Sequence, residues 1–468
     1  MKKNIVLSAV VVALLGSVSA ISADDALSTM FKDGKASGQI REFSIARYTK
    51  WNEGTGSLVD ADNISHALGG KLKFETADYK GLSFGTALYT TNRIGGESDT
   101  STDKTKGPNN TVLNADADGY SILGEAYLKY TYGKTTFTAG RQKINNPLMG
   151  ADDVRMIPNL YTSYNLTNTS LDGVKFNLNH TTEMANGTFS NAYGAGGSII
   201  GATAGYTAVS SFRPGDFHNF GDYAVGEETA GITTLGVTYT GVKGLKIQLW
   251  DYISHDISNT IYGDVSYKMK TGSISPFVAA QFIKQSDAGK KLLKNAAFST
   301  NGKLQGMYYG LKAGLSVSGF TTYLAYSSTS ANSDSDLVNE GSATNAIVLM
   351  SGGYPIYTQG MVTRHMTFAG SKAMKFVLAY SFKKMGPDLK VVGYYIKTDL
   401  DKNNGYYNNT VKVIDSTTEK GFDIIYNTSF AKNLQLRLRG NYVTDWSDKT
   451  TGETRDWSEY RFIANYTF

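Results

Sequence analysis

The chain ends Tyr460-Arg461-Phe462-Ile463-Ala464-Asn465-Tyr466-Thr467-Phe468, and the alternation in this stretch decides the fold. Successive side chains of a β-strand point to opposite faces. Tyr460, Phe462, Ala464, Tyr466 and Phe468 therefore share one face, and Arg461, Ile463, Asn465 and Thr467 share the other. The first face suits hydrocarbon and the second mostly water. The stretch before it repeats the division, with Leu434, Leu436, Leu438 and Tyr442 against Gln435, Arg437, Arg439 and Asn441. So do Leu68, Gly70, Leu72 and Phe74 against Lys71, Lys73 and Glu75, and Phe376, Leu378, Tyr380 and Phe382 against Lys375 and Ser381. One such strand fits an ordinary sandwich. Repetition along the whole chain predicts an all-β, antiparallel, up-and-down transmembrane barrel.

The other end of the chain agrees. Lys2 and Lys3 precede an apolar run over 5–15, and Val18-Ser19-Ala20 offers small residues for cleavage, the pattern of a signal peptide over residues 1–20. Ile21-Ser22-Ala23 is a second candidate cleavage site, so a single barrel domain is expected over 21–468 or from residue 24. Beyond the leader no run approaches the roughly eighteen apolar residues that a spanning helix needs, which leaves a closed barrel as the way to cross a bilayer. The 468 residues include 31 Tyr, 21 Phe and 50 Gly, at a mean hydropathy of -0.27. That average is too polar for helical spans, and Tyr is what an interfacial girdle uses. Removing Lys2 and Lys3 from the 46 basic residues leaves 44 against 41 acidic ones, too even a balance for nucleic-acid binding. The absence of cysteine excludes disulfides, thiolate metal sites and a thiol nucleophile.

Connections alternate in length, as they do in bacterial barrels with short periplasmic turns and long external loops. Short ones are expected at 79–81, 132–134, 172–173, 242–244, 271–272, 318–319, 383–387 and 431–433, mostly with the Gly and Asn chemistry of tight hairpins. Long ones are expected at 51–65, 92–119, 144–159, 185–230, 285–305, 329–365, 399–418 and 444–456, with a brief one around His255. Counting between these marks gives about eighteen strands, a class wide enough for an aqueous channel. Proline cannot donate to a sheet ladder and a closed barrel has no edge to hide it. Six of the seven prolines fall in the connections, and Pro276 lies near the start of a strand.

A channel needs no covalent chemistry, only a lumen wider than its solute and charges at its narrowest part. Lys71, Lys73, Lys246, Lys312, Lys375, Arg437, Arg439 and Arg461 fall on the polar parity of their strands, against Glu75, Glu125 and Asp423. This basic wall would attract small anions or carboxylate groups; the plainer alternative is a set of solvated residues that balance one another. The connection 144–159 is stiffened by Pro147 and Pro158 and carries Asp152, Asp153 and Arg155. Folded inward as a constriction loop, it would set acidic groups against the basic wall and orient dipolar solutes; left outside, it is a charged surface loop. In 39–49 the parity of Arg41 and Arg47 is also that of Phe43 and Ile45, so the lumen face there stays open. His66, His180, His218, His255 and His365 sit in no metal-ligand or nucleophile pattern, so no enzyme, metal or cofactor is expected.

The residues also resemble a family, the OprD-type substrate-selective outer-membrane porins. The resemblance spans nearly the whole mature chain. It rests on Phe31-Lys32-Asp33-Gly34-Lys35 leading to Gly38 and Arg41, on Gly140-Arg141-Gln142 followed by Pro147, on Asp152-Asp153 with Arg155 and Pro158, and on the closing Phe468. It implies an eighteen-strand pore in the outer membrane of a Gram-negative cell, narrowed by inward loops, with a basic ladder that conducts carboxylate-bearing nutrients. This chain departs in using many Lys where the two-point fork of Arg would hold carboxylates. The expected partners are outer-membrane lipid, small polar or anionic solutes, and the barrel-insertion machinery reading Phe468; a homotrimer is the assembly common among porins. Two other functions compete: a barrel hydrolase, which needs a convergent Ser-His or Asp-His site, and a surface adhesin with an occluded lumen.

Overall fold

The computed structural model describes residues 23–52, 58–96, 106–114, 116–151, 155–191, 215–295, 301–336, 344–404, 416–448 and 453–468. The first half of the barrel is β1 (Lys35–Asn52), β2 (Leu58–Glu75), β3 (Leu82–Arg93), β4 (Tyr120–Tyr132), β5 (Thr135–Gln142), β6 (Leu160–Asn168), β7 (Val174–Ala185), β8 (Ile232–Tyr239) and β9 (Leu245–Ser254). The second half is β10 (Ser258–Lys268), β11 (Ile274–Asp287), β12 (Met307–Val317), β13 (Phe320–Thr329), β14 (Lys372–Ser381), β15 (Asp388–Asp399), β16 (Ser416–Asn427), β17 (Leu434–Asp448) and β18 (Glu453–Thr467). Each pairs antiparallel with the next. β18 pairs back onto β1 from Gln39↔Thr467 to Asn52↔Thr454, which closes an eighteen-strand barrel. Among the described residues no helix is long and apolar enough to cross a membrane.

The tight turns carry the backbone that hairpins need. Lys80-Gly81 (φ 53° and 91°) and Ser318-Gly319 (φ 46° and 92°) both place two successive residues in the left-handed region, which matches the twist of the flanking strands. Pro276 is the third residue of β11. Two expected loops prove shorter than their sequence suggested: β1 runs on to Asn52 and β2 starts at Leu58, while β17 reaches Asp448 and β18 starts at Glu453. Their polar residues read as loop, yet the ladder takes them up into strands of 18 and 15 residues. An unexpected helix, α1 (Ala23–Lys32), precedes β1; Met30 O accepts from Ala77 N at 2.9 Å, and Phe31 stacks on Phe74 at 6.0 Å, tying α1 to the first periplasmic turn. The leader predicted over 1–20 lies outside the described residues.

The two faces differ as the alternation requires. Leu72, Leu249, Leu324 and Phe376 project outward and are exposed. Outward aromatics mark two levels, with Phe320, Tyr380 and Phe382 packed at the periplasmic ends of β13 and β14, and Tyr309 against Tyr326 (6.1 Å) near the external ends. The inner face is less polar than its sequence suggests. Loop side chains Leu148, Met149, Ile347, Val348, Leu349 and Met350 bury against inward Trp250, Tyr252, Tyr262, Ile283 and Tyr308. A second cluster joins Val112, Leu113, Met156 and Ile157 to inward Phe43, Ile45, Tyr89 and Ile463. Each such side chain contributes about 1.5–3 kcal/mol on burial, enough to hold long connections inside the barrel.

Gly70 on β2 has φ +142°, and a Cβ there would lie 1.8 Å from Gln39 O on the paired strand. Gly70→Ala is expected to lower stability by at least 1–3 kcal/mol, on the order of the strain at such backbone positions, read as the urea midpoint in detergent micelles.

Candidate functional site

The inner wall is built by one parity of each strand, and all eight basic residues singled out from sequence point inward. Their surroundings differ. Arg437 bonds Asp423 through Nε at 2.8 Å and again through Nη2, and Arg439 Nε lies 3.2 Å from the same carboxylate. Lys73 Nζ meets Glu125 at 2.9 Å and Glu75 at 3.7 Å, while Lys129 and Tyr127 also bond Glu75. Lys71 lies over the Tyr89 ring at 5.9 Å. Lys312 sits 4.1 Å from the ring centre of Tyr357, whose hydroxyl donates to Asp264. Lys375 Nζ donates to Gln359 O at 2.6 Å. Lys246 is exposed to the lumen.

Arg461 belongs to a buried knot around Glu459, which has no solvent-exposed side-chain surface. Glu459 accepts from Arg461 Nε at 2.6 Å, from Arg47 Nε at 2.7 Å, and from Arg155 Nη2 at 3.3 Å. Arg155 also donates from Nε to Thr111 at 3.0 Å, and its guanidinium lies over Phe189 at 5.0 Å and Phe43 at 5.5 Å. Arg41 closes the group by donating to Asn465 Oδ1 at 2.7 Å and to the Arg155 carbonyl. The open register of β1 is thereby settled: Arg41, Phe43, Ile45 and Arg47 all face inward, the apolar pair against the inward loops. Arg155 thus anchors its segment to the wall and is not an open constriction charge. Asp152 and Asp153 lie outside the described residues.

The connection after β5 does fold inward. Tyr252 OH accepts from Leu148 N at 3.1 Å and donates to Asn146 Oδ1 at 2.9 Å, and Tyr161 OH lies 2.9 Å from Gly150 O and 2.7 Å from Ser351 O. The long connection after β13 enters beside it, with Ser351 Oγ donating to Leu148 O at 2.7 Å. Buried Glu419 of β16 fastens that second loop, accepting from Met361 N, Thr363 N, Thr363 Oγ1 and Tyr394 OH at 2.6–2.9 Å. His365 lies buried in the same loop, and desolvation holds its imidazole down at about 3, so it stays neutral. No sequence signal marked Glu419 or Glu459, because each looks like any inward acid until the loop it holds is in place.

Between the two loops and the inner faces of β6–β10 is a cavity of about 670 Å³. Lys143, Lys175 and Lys246 line it, all exposed, together with Asn165, Asn177 and Gln248; no carboxylate is among its lining residues. Lys175 was legible from Lys175, Asn177 and Asn179 alternating with Phe176 and Leu178, whereas Lys143 sits past the end of β5, where alternation is silent.

A closed barrel with two loops packed into its lumen is the architecture of a restricted pore, and the sequence matches the model of the outer membrane porin, OprD family, over residues 30–468. The chain belongs to the OprD family of outer-membrane porins. It is an outer-membrane barrel that passes small solutes by passive diffusion. Similar solved structures include OccK9 (OpdG) of Pseudomonas aeruginosa, at 16% identity and a TM-score of 0.70 over 94% of this chain and 99% of that one. A BenF-like porin from Pseudomonas fluorescens Pf-5 gives 15% and 0.70 over 94% and 99%, and Pseudomonas aeruginosa OpdK, solved with vanillate, 14% and 0.67 over 93% and 98%. No curated protein sequence matches.

Glu459→Gln leaves three arginines around a neutral amide. The expected cost is about 3–5 kcal/mol in micelle unfolding, with noisier single-channel current as the segment at Arg155 loosens; quiet current and unchanged stability would show that the knot holds nothing.

Proposed function

We propose that this OprD-family porin favours anionic, carboxylate-bearing nutrients in the outer membrane of a Gram-negative cell. The observation that carries this reading is the cavity lined by Lys143, Lys175 and Lys246 with no carboxylate among its described lining residues. Three exposed ammonium groups in a confined space surrounded by low-dielectric protein focus a positive potential on any passing solute. The nearby amides of Asn165, Asn177 and Gln248 offer both donors and acceptors to hydroxyl or carbonyl groups. The OpdK structure holds vanillate, a carboxylate-bearing aromatic, and a solute of that chemistry suits the three lysines.

The basic wall works with this cavity in two parts. Two arginines, Arg437 and Arg439, share Asp423, and Arg461 shares Glu459 with Arg47 and Arg155, so these clusters fix the shape of the passage and keep a net positive charge, while Lys73 is paired with Glu125. Lys246 lines the cavity, and Lys71, Lys312 and Lys375 lie along the inner face against Tyr89, Tyr357 and the Gln359 carbonyl. Asp152, Asp153 and Arg155 are assigned to the constriction segment, with Arg155 as its anchor. Phe468, whose backbone exchanges hydrogen bonds with Gly38 at 2.8 and 3.1 Å, ends the strand that the insertion machinery would read.

A hydrolase gains little support. Ser44 Oγ lies 2.6 Å from His66 Nδ1, but the carboxylate of Glu42 is bonded to the serine and so does not orient the histidine. The paired strand amides around it are committed to the ladder and leave no oxyanion donors.

The test is the reversal potential of the purified chain in a planar bilayer under a salt gradient. Wild type is expected to favour anions, and Lys143→Gln, Lys175→Gln and Lys246→Gln together should move the potential toward zero with the barrel still heat-modifiable. A cation-favouring wild type, or a triple variant with unchanged selectivity, would overturn the assignment.

A further inference from the structure

The outer wall meets lipid, and on part of it the charged residues stand at one end of the strands only. On β14, β15 and β16 the outward parity carries Lys372, Lys397 and Lys420, all exposed. Lys372 is the first residue of β14, Lys397 the third from the end of β15 and Lys420 the fifth of β16, so all three stand toward the external ends, beside the long connections. At the periplasmic ends of the same strands the outward residues are Tyr380, Leu389 and Tyr426, none of them charged. A lysine that only reaches from hydrocarbon to water serves at either interface. Confinement to one end points to a chemical difference between the two leaflets.

The ladder brings the three lysines together. Lys372 faces Asp399 and Lys397 faces Met374 across β14–β15, while Lys397 faces Thr418 and Lys420 faces Tyr395 across β15–β16. Each lysine is therefore the diagonal neighbour of the next, about 7–8 Å away and within reach of long side chains. Asp399, 3.4 Å from Lys397, is the one acid on the outward parity of β12–β16 among the described residues. Lys372 and Lys420 form no ion pair among the described residues, so three ammonium groups stand against one carboxylate. Lys420 also faces Tyr442 of β17, which accepts from Tyr460 OH at 2.7 Å and so keeps its own hydroxyl proton for another acceptor.

An apolar groove of about 450 Å³ lies on the same outer face, next to the lysines. It exists because Ala280 of β11 and Ala313 of β12 are small where their outward neighbours Val278, Leu311 and Leu324 are large. Met374 bounds it on β14; the same residue faces Lys397 and stands two positions below Lys372. Tyr326, opposite Met374 on β13, lines the groove and belongs to the external aromatic level. The groove thus runs from that level into the hydrocarbon, and a chain lying in it presents its polar end to the ammonium groups.

We propose that the outer face of β11–β16 binds a phosphorylated glycolipid of the external leaflet, its phosphate held by Lys372, Lys397 and Lys420 and one acyl chain seated in the groove over Ala280 and Ala313. Lysine meets phosphate as a flexible point charge, and basic side chains at a membrane surface draw anionic headgroups. A phosphate monoester carries about −1.5 to −2 at neutral pH, which suits three cations offset by one acid better than the single charge of a glycerophospholipid diester does. Tyr442 OH supplies a further donor beside Lys420. This site lies on the outside of the wall and is independent of the solute preference read from the lumen.

Native mass spectrometry of the full mature chain in mild detergent tests it, with diphosphorylated lipid A as the probe and phosphatidylglycerol as the comparison lipid. The wild type is expected to retain lipid A at concentrations where phosphatidylglycerol is lost. Lys372→Gln, Lys397→Gln and Lys420→Gln together should weaken lipid A retention at least about tenfold, with heat-modifiable mobility showing the barrel intact. Should that variant fail to fold, Lys420→Gln alone should shift retention the same way. Ala280→Leu with Ala313→Leu fills the groove and should also weaken retention, whereas Lys143→Gln, Lys175→Gln and Lys246→Gln in the lumen should leave it unchanged. A wild type that retains no lipid A or holds phosphatidylglycerol equally well, a lysine variant that binds as the wild type does, or a filled groove that costs nothing would each overturn the proposal.

Discussion

In hydrocarbon no water is available to satisfy an unpaired backbone amide, and every other feature of this protein follows from that constraint. A sheet that crosses a membrane must have no edge, so the last strand has to find the first. Here β18 lies against β1 over fourteen paired positions, and Phe468 and Gly38 exchange hydrogen bonds at the periplasmic end. Closure makes two surfaces, one for lipid and one for the lumen, and the pleat assigns alternate residues to each. Because the wall has eighteen strands, the lumen is too wide for wall side chains alone to fill.

The chain narrows that lumen with its own connections, and doing so changes the meaning of the inner charges. Loops packed inward remove water from part of the wall. Charges caught there have to be paired, and Glu459 with Arg47, Arg155 and Arg461, Asp423 with Arg437 and Arg439, and Glu419 with the loop around Thr363 are the result. Glu459 and Glu419 hold loops in place, and the arginines, which outnumber the carboxylates they meet at Glu459 and Asp423, leave these clusters net positive. Where the loops do not reach, the three lysines of the 670 Å³ cavity stand with no carboxylate among the described lining residues. Structural charge and solute-facing charge are therefore carried by different residues of one continuous wall.

Much of this was legible from the order of residues. Alternation in β17 and β18, the Gly and Asn turns, and the spacing of long and short connections led to the eighteen-strand barrel. Alternation failed in β1, where Arg41 and Arg47 share a face with Phe43 and Ile45, because that face meets packed loops as well as water. It failed again at His66, read as flanking a loop when β2 extends past it to Leu58, and with that error the contact to Ser44 on the facing strand was hidden.

The sequence by itself determined the barrel, its strand count to within two, and the family resemblance. These depend on local periodicity, which a chain carries in the order of its residues. Only the tertiary structure decided which charges are paired and which loops enter the lumen. Those facts depend on residues brought into contact from far along the chain, such as Arg155 and Glu459 or Tyr357 and Asp264. A charge's effect is set by its partners and by the water left around it, and neither exists until the barrel has closed and its loops have folded in.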